Sequence, residues 1–173
     1  MAVDWLHALS LGVFKTWASY AVHALIGCNA FRMYGNAPDR LTASVTFLRN
    51  RLFDFYSDES RRGIDLARVG DLTESMIGSD PTVVLGTHGA ETNGFVKFLV
   101  QIILPRYGSA LPPADFDQFM RGGRALIEMM RIIGEHTSGV APPHEIQTFV
   151  EATCTHLTSL GALEIPQSRI ITL

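Results

Sequence analysis

The sequence predicts a mainly α-helical protein, and three features of the chain support this fold class. Apolar residues recur at helical spacing along most of its length. Breaks rich in glycine and proline separate the apolar segments. Only residues 83–85 and 169–172 are typical of short extended pieces. With 173 residues, 47% of them hydrophobic, the chain can bury one core, so we expect a single domain over residues 1–173.

The first half of the chain predicts one long central helix and several shorter ones. The first helix runs from about residue 4 to residue 29 and is apolar on nearly all sides, so it should be packed centrally. A second helix is expected over about residues 40–56, and the charged stretch 57–62 should end it. Short helical pieces continue to Gly78.

The second half predicts three further helices. An apolar helix begins near Glu91 and should stop at Pro105, because proline lacks the N–H that a helix interior needs. Helices are then expected over about residues 114–134 and 144–160. The adjacent glycines 122–123 in the first of these predict a kink or a close contact with another helix.

The charge and the cysteine content of the chain argue against a generally basic nucleic-acid-binding protein and against a disulfide-bonded protein. The net charge of −3 provides no overall positive field for nucleic acid, so any such binding must be local. Charged residues make up 18% of the chain, below the roughly 25% of average soluble domains, which predicts apolar surface that meets another segment or subunit. Cys28 and Cys154 lie far apart, as expected for reduced thiols in an intracellular protein. Lys15 and two histidines interrupt the apolar start, so we expect no membrane span and a nuclear or cytoplasmic location.

Two pairs of an acid and a histidine are candidates for chemistry. Asp4 and His7 are three residues apart at the entrance of the first helix, so they share a face. His88 and Glu91 have the same spacing at the entrance of a later helix. Carboxylates with nearby imidazoles favour a divalent-metal site. The structural alternative is that each acid only caps its helix.

The residues around these pairs resemble the motifs of a known enzyme family. Residues 4–15 resemble the pattern around the second catalytic acid of DDE-type cut-and-paste DNA transposases, in particular the CACTA and Plavaka-like group. The matching residues are Asp4-Trp5-Leu6-His7, Leu9, Leu11-Gly12-Val13 and Lys15. Residues 90–105 resemble the pattern around the third catalytic acid, through Ala90-Glu91, Phe95, Phe98-Leu99 and Leu104-Pro105.

This resemblance implies the helical portion of an RNase H-like catalytic domain. The family's three acids hold two Mg²⁺ or Mn²⁺ ions for phosphodiester hydrolysis and strand transfer on DNA. Asp4 would be the second acid and Glu91 the third, both as metal ligands in a common cleft, with His7 as a supporting catalytic residue.

The strands of that domain and its first acid would have to precede Asp4. We therefore expect a fragment or degenerate derivative that is inactive alone and binds metal weakly. A missing N-terminal catalytic segment or another subunit would complete it. The apolar end, residues 165–173, agrees with a boundary cut through a domain.

Two other functions remain open on the sequence alone. The chain could be an all-helical interaction or structural module without catalysis, in which Asp4 and Glu91 are only helix caps. It could also be a helical metalloprotein that binds one transition metal through Asp4, His7, His88 and Glu91, provided that all four converge.

Overall fold

A computed structural model describes residues 12–78, 85–135 and 142–161. These residues form helices and connecting turns without a β-strand, which confirms the mainly α-helical class. None of the helices in this part of the chain is long and apolar enough to cross a bilayer. The expected sites Asp4 and His7, and the extended pieces at residues 83–84 and 169–172, lie outside the described residues.

Seven α-helices occur in the described part of the chain. Their bounds are Phe14–Gly27 (α1), Ala37–Arg61 (α2), Glu74–Ile77 (α3), Gly89–Phe98 (α4), Leu104–Tyr107 (α5), Pro113–Glu135 (α6) and Pro143–Gly161 (α7). A π-helical turn, Leu99–Ile103, joins α4 to α5, and a 3-10 turn, Gly108–Ala110, follows α5. The helix α1 packs against α2, α4 and α6, while α7 packs along α6. The central position predicted for the first helix is therefore confirmed.

The helix α2 extends beyond both predicted ends. It begins earlier because the Asn36 side chain accepts a hydrogen bond from the Asp39 N–H, at 3.0 Å, and Pro38 suits the first turn. The charged stretch continues the helix instead of ending it, because Glu59 is buried and pairs with Arg62 at 3.0 Å. The chain leaves the helix at Gly63, whose φ of 76° suits glycine.

The sequence predicts short helical pieces up to Gly78, but residues 64–73 are irregular, and only the single turn α3 confirms this prediction. Val69 and Leu72 nevertheless point into the core and are 1% exposed. The Val69 N–H donates to the hydroxyl of Tyr56 at 3.2 Å, in place of a helical hydrogen bond. A tertiary contact to α2 therefore replaces the local helix.

The helical path does not stop at Pro105, which corrects the predicted end of the Glu91 helix. The π turn lies directly before the helix that contains Pro105, so the helical path continues through the proline. There the Leu104 N–H donates to the carbonyl of Leu99, five residues back. Proline cannot form the α-helical bond and clashes with the carbonyl four residues earlier, so a wider turn accommodates it. Arg106 and Tyr107 consequently belong to a helix, although they lie beyond its predicted end.

Gly122 and Gly123 form a close contact between helices, which is one of the two alternatives that the sequence predicts. A Cβ at Gly123 would lie 2.4 Å from Cγ2 of Val100 and 2.6 Å from Cζ2 of Trp17. A Cβ at Gly122 would lie 3.2 Å from Nε1 of Trp17 and 3.5 Å from Nδ1 of His156. Four segments, α1, the π turn, α6 and α7, therefore meet at the two glycines.

This contact also holds two buried polar groups. Trp17 and His156 are each 1% exposed, and His156 Nδ1 lies 3.4 Å from the Gly122 carbonyl oxygen. Within the described residues, Trp17 Nε1 and His156 Nε2 have no hydrogen-bond partner. Burial lowers the pKa of His156 below its ordinary value because the interior disfavours the charged imidazolium, while the Gly122 carbonyl opposes this shift.

Gly123→Ala is expected to destabilise the protein by about 1–3 kcal/mol, because its Cβ overlaps two buried side chains. Gly134→Ala in the same helix is the matched control, since its Cβ meets nothing within 4 Å. Higher helix propensity should stabilise that variant by up to about 1 kcal/mol. Urea unfolding of both variants measures the difference. Equal stabilisation by both would contradict the close contact.

The stability of the protein is expected to fall as the pH drops below the ordinary histidine pKa of about 6.5. The pKa of His156 is lower in the folded protein than in the unfolded chain. As the pH falls, the unfolded chain therefore takes up a proton at this imidazole before the folded protein does, which favours unfolding. The contribution of the neutral His156 to stability is fully present only above the ordinary histidine pKa. His156→Gln should flatten the profile, whereas His144→Gln, at an exposed position of α7, should not. Urea unfolding between pH 5 and 8 provides the measurement. A wild-type profile that is flat or rises towards low pH would exclude this role of His156.

Candidate functional site

Glu91 lies in the first turn of α4 and binds the backbone of its own helix. Its Oε2 accepts a hydrogen bond from the His88 N–H at 2.8 Å, which is the backbone half of a capping box. The hydroxyl of Thr92 donates to the His88 carbonyl at 2.8 Å. Thr87 must therefore donate the 2.7 Å bond that joins the two buried threonine hydroxyls. These bonds fix the entrance of α4 and orient the Glu91 carboxylate.

The Glu91 carboxylate and the Arg68 guanidinium are both close enough to the phenol of Tyr56 to act on it electrostatically. Burial raises the pKa of Tyr56, and the negative charge of Glu91 raises it further, whereas the Val69 N–H and Arg68 oppose the shift. A Cβ at Gly94 would lie 3.1 Å from the carbonyl oxygen of Ala67 and 3.4 Å from Cε1 of Tyr56. The irregular segment 64–73 and α2 therefore cover this side of α4.

A complete metal site does not occur in the described part of the chain. Within residues 12–78, 85–135 and 142–161, no three side chains of His, Cys, Asp or Glu form a group that could hold a metal ion. Glu91 and His88 are adjacent, as predicted, but His88 is exposed and contributes its N–H to the cap. Asp4 and His7 lie outside the described residues, so their roles stay predictions.

The helix α1 packs against α4 and contacts the segments on either side of it. Near the start of α1, Trp17 lies beside Val100 of the π turn, where both surround Gly123. Further along, His23 Nε2 lies 3.2 Å from the Ile77 carbonyl oxygen of α3. The start of α1 is therefore next to the π turn that follows α4, whereas Glu91 is in the first turn of α4.

The predicted common cleft for Asp4 and Glu91 stays a prediction, because Asp4 lies outside the described residues.

Sequence reasoning missed the neighbours of Glu91 and one polar groove. Tyr56 of α2 and Arg68 of the irregular segment 64–73 come together beside α4 only in the tertiary structure, and no local pattern indicates this. The groove lies between α2 and the helix end around Arg106. Its α2 residues recur at helical spacing, which is a sequence signal, but Arg106 lies beyond the end that the sequence predicts for the Glu91 helix.

Comparison of the chain with protein-family models, with curated proteins and with solved structures found no match.

Glu91→Ala is expected to destabilise the protein by about 1 kcal/mol, because the His88 N–H loses its acceptor. Glu91→Gln should retain most of the stability, since its amide oxygen can accept the same bond. Urea unfolding of the two variants separates the role in capping from the role of the charge. If Glu91→Ala were as stable as the native chain, the capping interaction would contribute nothing.

Proposed function

We propose that the chain is a fragment or degenerate derivative of a DDE-type DNA transposase, in which Glu91 corresponds to the third catalytic acid. The observation that carries this proposal is the packing of α1 against α4 in one core. These are the two helices that follow the motif with Asp4 and His7 and the motif with Glu91. Two helices that carry acids of one metal site have to belong to one packed core, and α1 and α4 meet this requirement.

The placement of Glu91 also supports the proposal. The body of α4 is buried, with Phe95 and Phe98 fully inside the core, while the Glu91 side chain at its entrance remains half-buried. A rigid, buried helix with an acid at its exposed entrance suits a carboxylate that holds Mg²⁺ in a fixed position. The bond to the His88 N–H uses one acceptor position and leaves others for a metal.

The same capping bond favours a second candidate function, a helical interaction or structural module without catalysis. In this candidate Glu91 serves only its own helix. The two candidates differ in one measurable property, which is whether the Glu91 charge contributes to metal-dependent chemistry once the remaining acids are supplied.

The chain alone is not expected to cleave DNA. Two-metal hydrolysis needs carboxylates on both sides of ions about 3.5–4 Å apart, and Glu91 has no second acid in a metal-binding group among the described residues. Mg²⁺ also gives up its water reluctantly, so one carboxylate holds it weakly.

A supercoiled-plasmid nicking assay with Mn²⁺ tests the proposal. The 173-residue chain should leave the plasmid intact. The chain extended by the segment encoded upstream, bearing an acid on a predicted strand, should nick it. Glu91→Gln in the extended protein should abolish nicking while keeping the cap, and Asp4→Asn should do the same.

Two results would contradict the transposase proposal. One is an extended protein whose nicking is unaffected by Glu91→Gln and Asp4→Asn. The other is an upstream reading frame that contains no acid on a strand, together with no Mn²⁺-dependent nicking by any form. The second result would favour the structural module.

A further inference from the structure

An arginine-rich groove lies between α2 and the helix end formed by the π turn and α5. It has a volume of about 330 Å³. The lining residues are Arg51, Asp54, Phe55, Ser57, Asp58, Arg61, Ile102 and Arg106. The α2 residues recur over three turns of one helical face. We call this site the arginine groove.

The arginine groove carries more positive than negative charge. It has three guanidinium groups and two carboxylates, although the chain as a whole has a net charge of −3. Asp58 is engaged by Arg61 at 3.0 Å. Asp54 lies 3.8 Å from Arg51, which is beyond hydrogen-bonding distance. No carboxylate of the described residues pairs with Arg106.

Aromatic packing restrains the Arg51 side chain and the backbone next to Arg106. The Arg51 guanidinium lies 5.4 Å from the centroid of the Phe47 ring, within the range of a cation–π interaction. Phe47 packs edge-on against Tyr107, with centroids 5.3 Å apart, and Tyr107 directly follows Arg106. The two elements that carry Arg51 and Arg106 are therefore fixed relative to each other, which lowers the entropic cost of binding between them.

We propose that the arginine groove binds the phosphate group of a phosphorylated ligand, through Arg51 and Arg106, with Arg61 as a third donor. Guanidinium groups match phosphate oxygens with paired hydrogen bonds. Phe55 and Ile102 provide an apolar floor on which the rest of the ligand can lie. The proposal does not depend on the transposase origin. Phosphomonoesters of nucleotides and phosphodiesters of nucleic acid share this chemistry.

The test titrates the full chain with inorganic phosphate at constant ionic strength, with chloride as the balancing anion, and follows the arginine side-chain N–H signals by NMR. Arg106→Gln should weaken phosphate binding about tenfold, or about 1.4 kcal/mol. Arg106 is exposed, so its loss should leave the fold intact. Asp54→Asn should strengthen binding about twofold, because it removes the carboxylate that competes for Arg51.

Arg124→Gln is the matched control. Arg124 is also exposed and has no carboxylate partner among the described residues, but it lies on α6, away from the groove lining. It should bind phosphate as the native chain does. Binding that is absent, that is weakened equally in both arginine variants, or that weakens with Asp54→Asn would overturn the proposal.

Two further ligands identify the source of the phosphate. Adenosine monophosphate supplies a phosphomonoester, and a single-stranded oligonucleotide without a terminal phosphate supplies only phosphodiesters. Whichever ligand competes with inorganic phosphate and loses affinity in Arg106→Gln shares the proposed site. Failure of both ligands to compete would overturn the assignment to a phosphorylated ligand.

Discussion

The close approach of helices at Gly122 and Gly123 determines how the rest of the molecule packs. Trp17 and Val100 occupy the space that a side chain at Gly123 would fill, and His156 lies against Gly122. One contact therefore joins α1, the π turn, α6 and α7. Since α4 continues directly into the π turn, the same contact positions the helix that carries Glu91 at its beginning. A β-carbon at Gly123 could be accommodated only by moving these helices apart.

One helical path, from α4 through the π turn to α5, carries both polar features of interest. Glu91 lies at its beginning and Arg106 near its end, about 22 Å apart at about 1.5 Å per residue. The helix α2 runs beside it and contributes to both, through Tyr56 near Glu91 and Arg51 in the arginine groove. Negative and positive charge are thus separated along a rigid buried element, which limits their mutual neutralisation.

The two roles considered for Glu91 are compatible in physical terms. A carboxylate has about four lone-pair positions, and the His88 N–H occupies one of them. Capping also restrains the side chain, and a restrained carboxylate is a better metal ligand than a free one. The transposase proposal and the structural module therefore share the same local geometry. What separates them is the presence of further acids around Glu91.

The sequence by itself determined the helical class and the position of α1 in the core, and it restricted the paired glycines to a kink or a close contact between helices. These features follow from apolar periodicity, from the scarcity of polar residues around α1, and from the lack of a side chain at glycine, all of which are local properties. The tertiary structure alone decided the irregular path of residues 64–73 and the placing of Arg51 and Arg106 on one groove, because both depend on contacts between residues distant in sequence, such as Tyr56 with the Val69 N–H. The passage of the helix beyond Pro105 depends on a local bond from the Leu104 N–H to the Leu99 carbonyl, but apolar periodicity does not distinguish this π turn from a helix end.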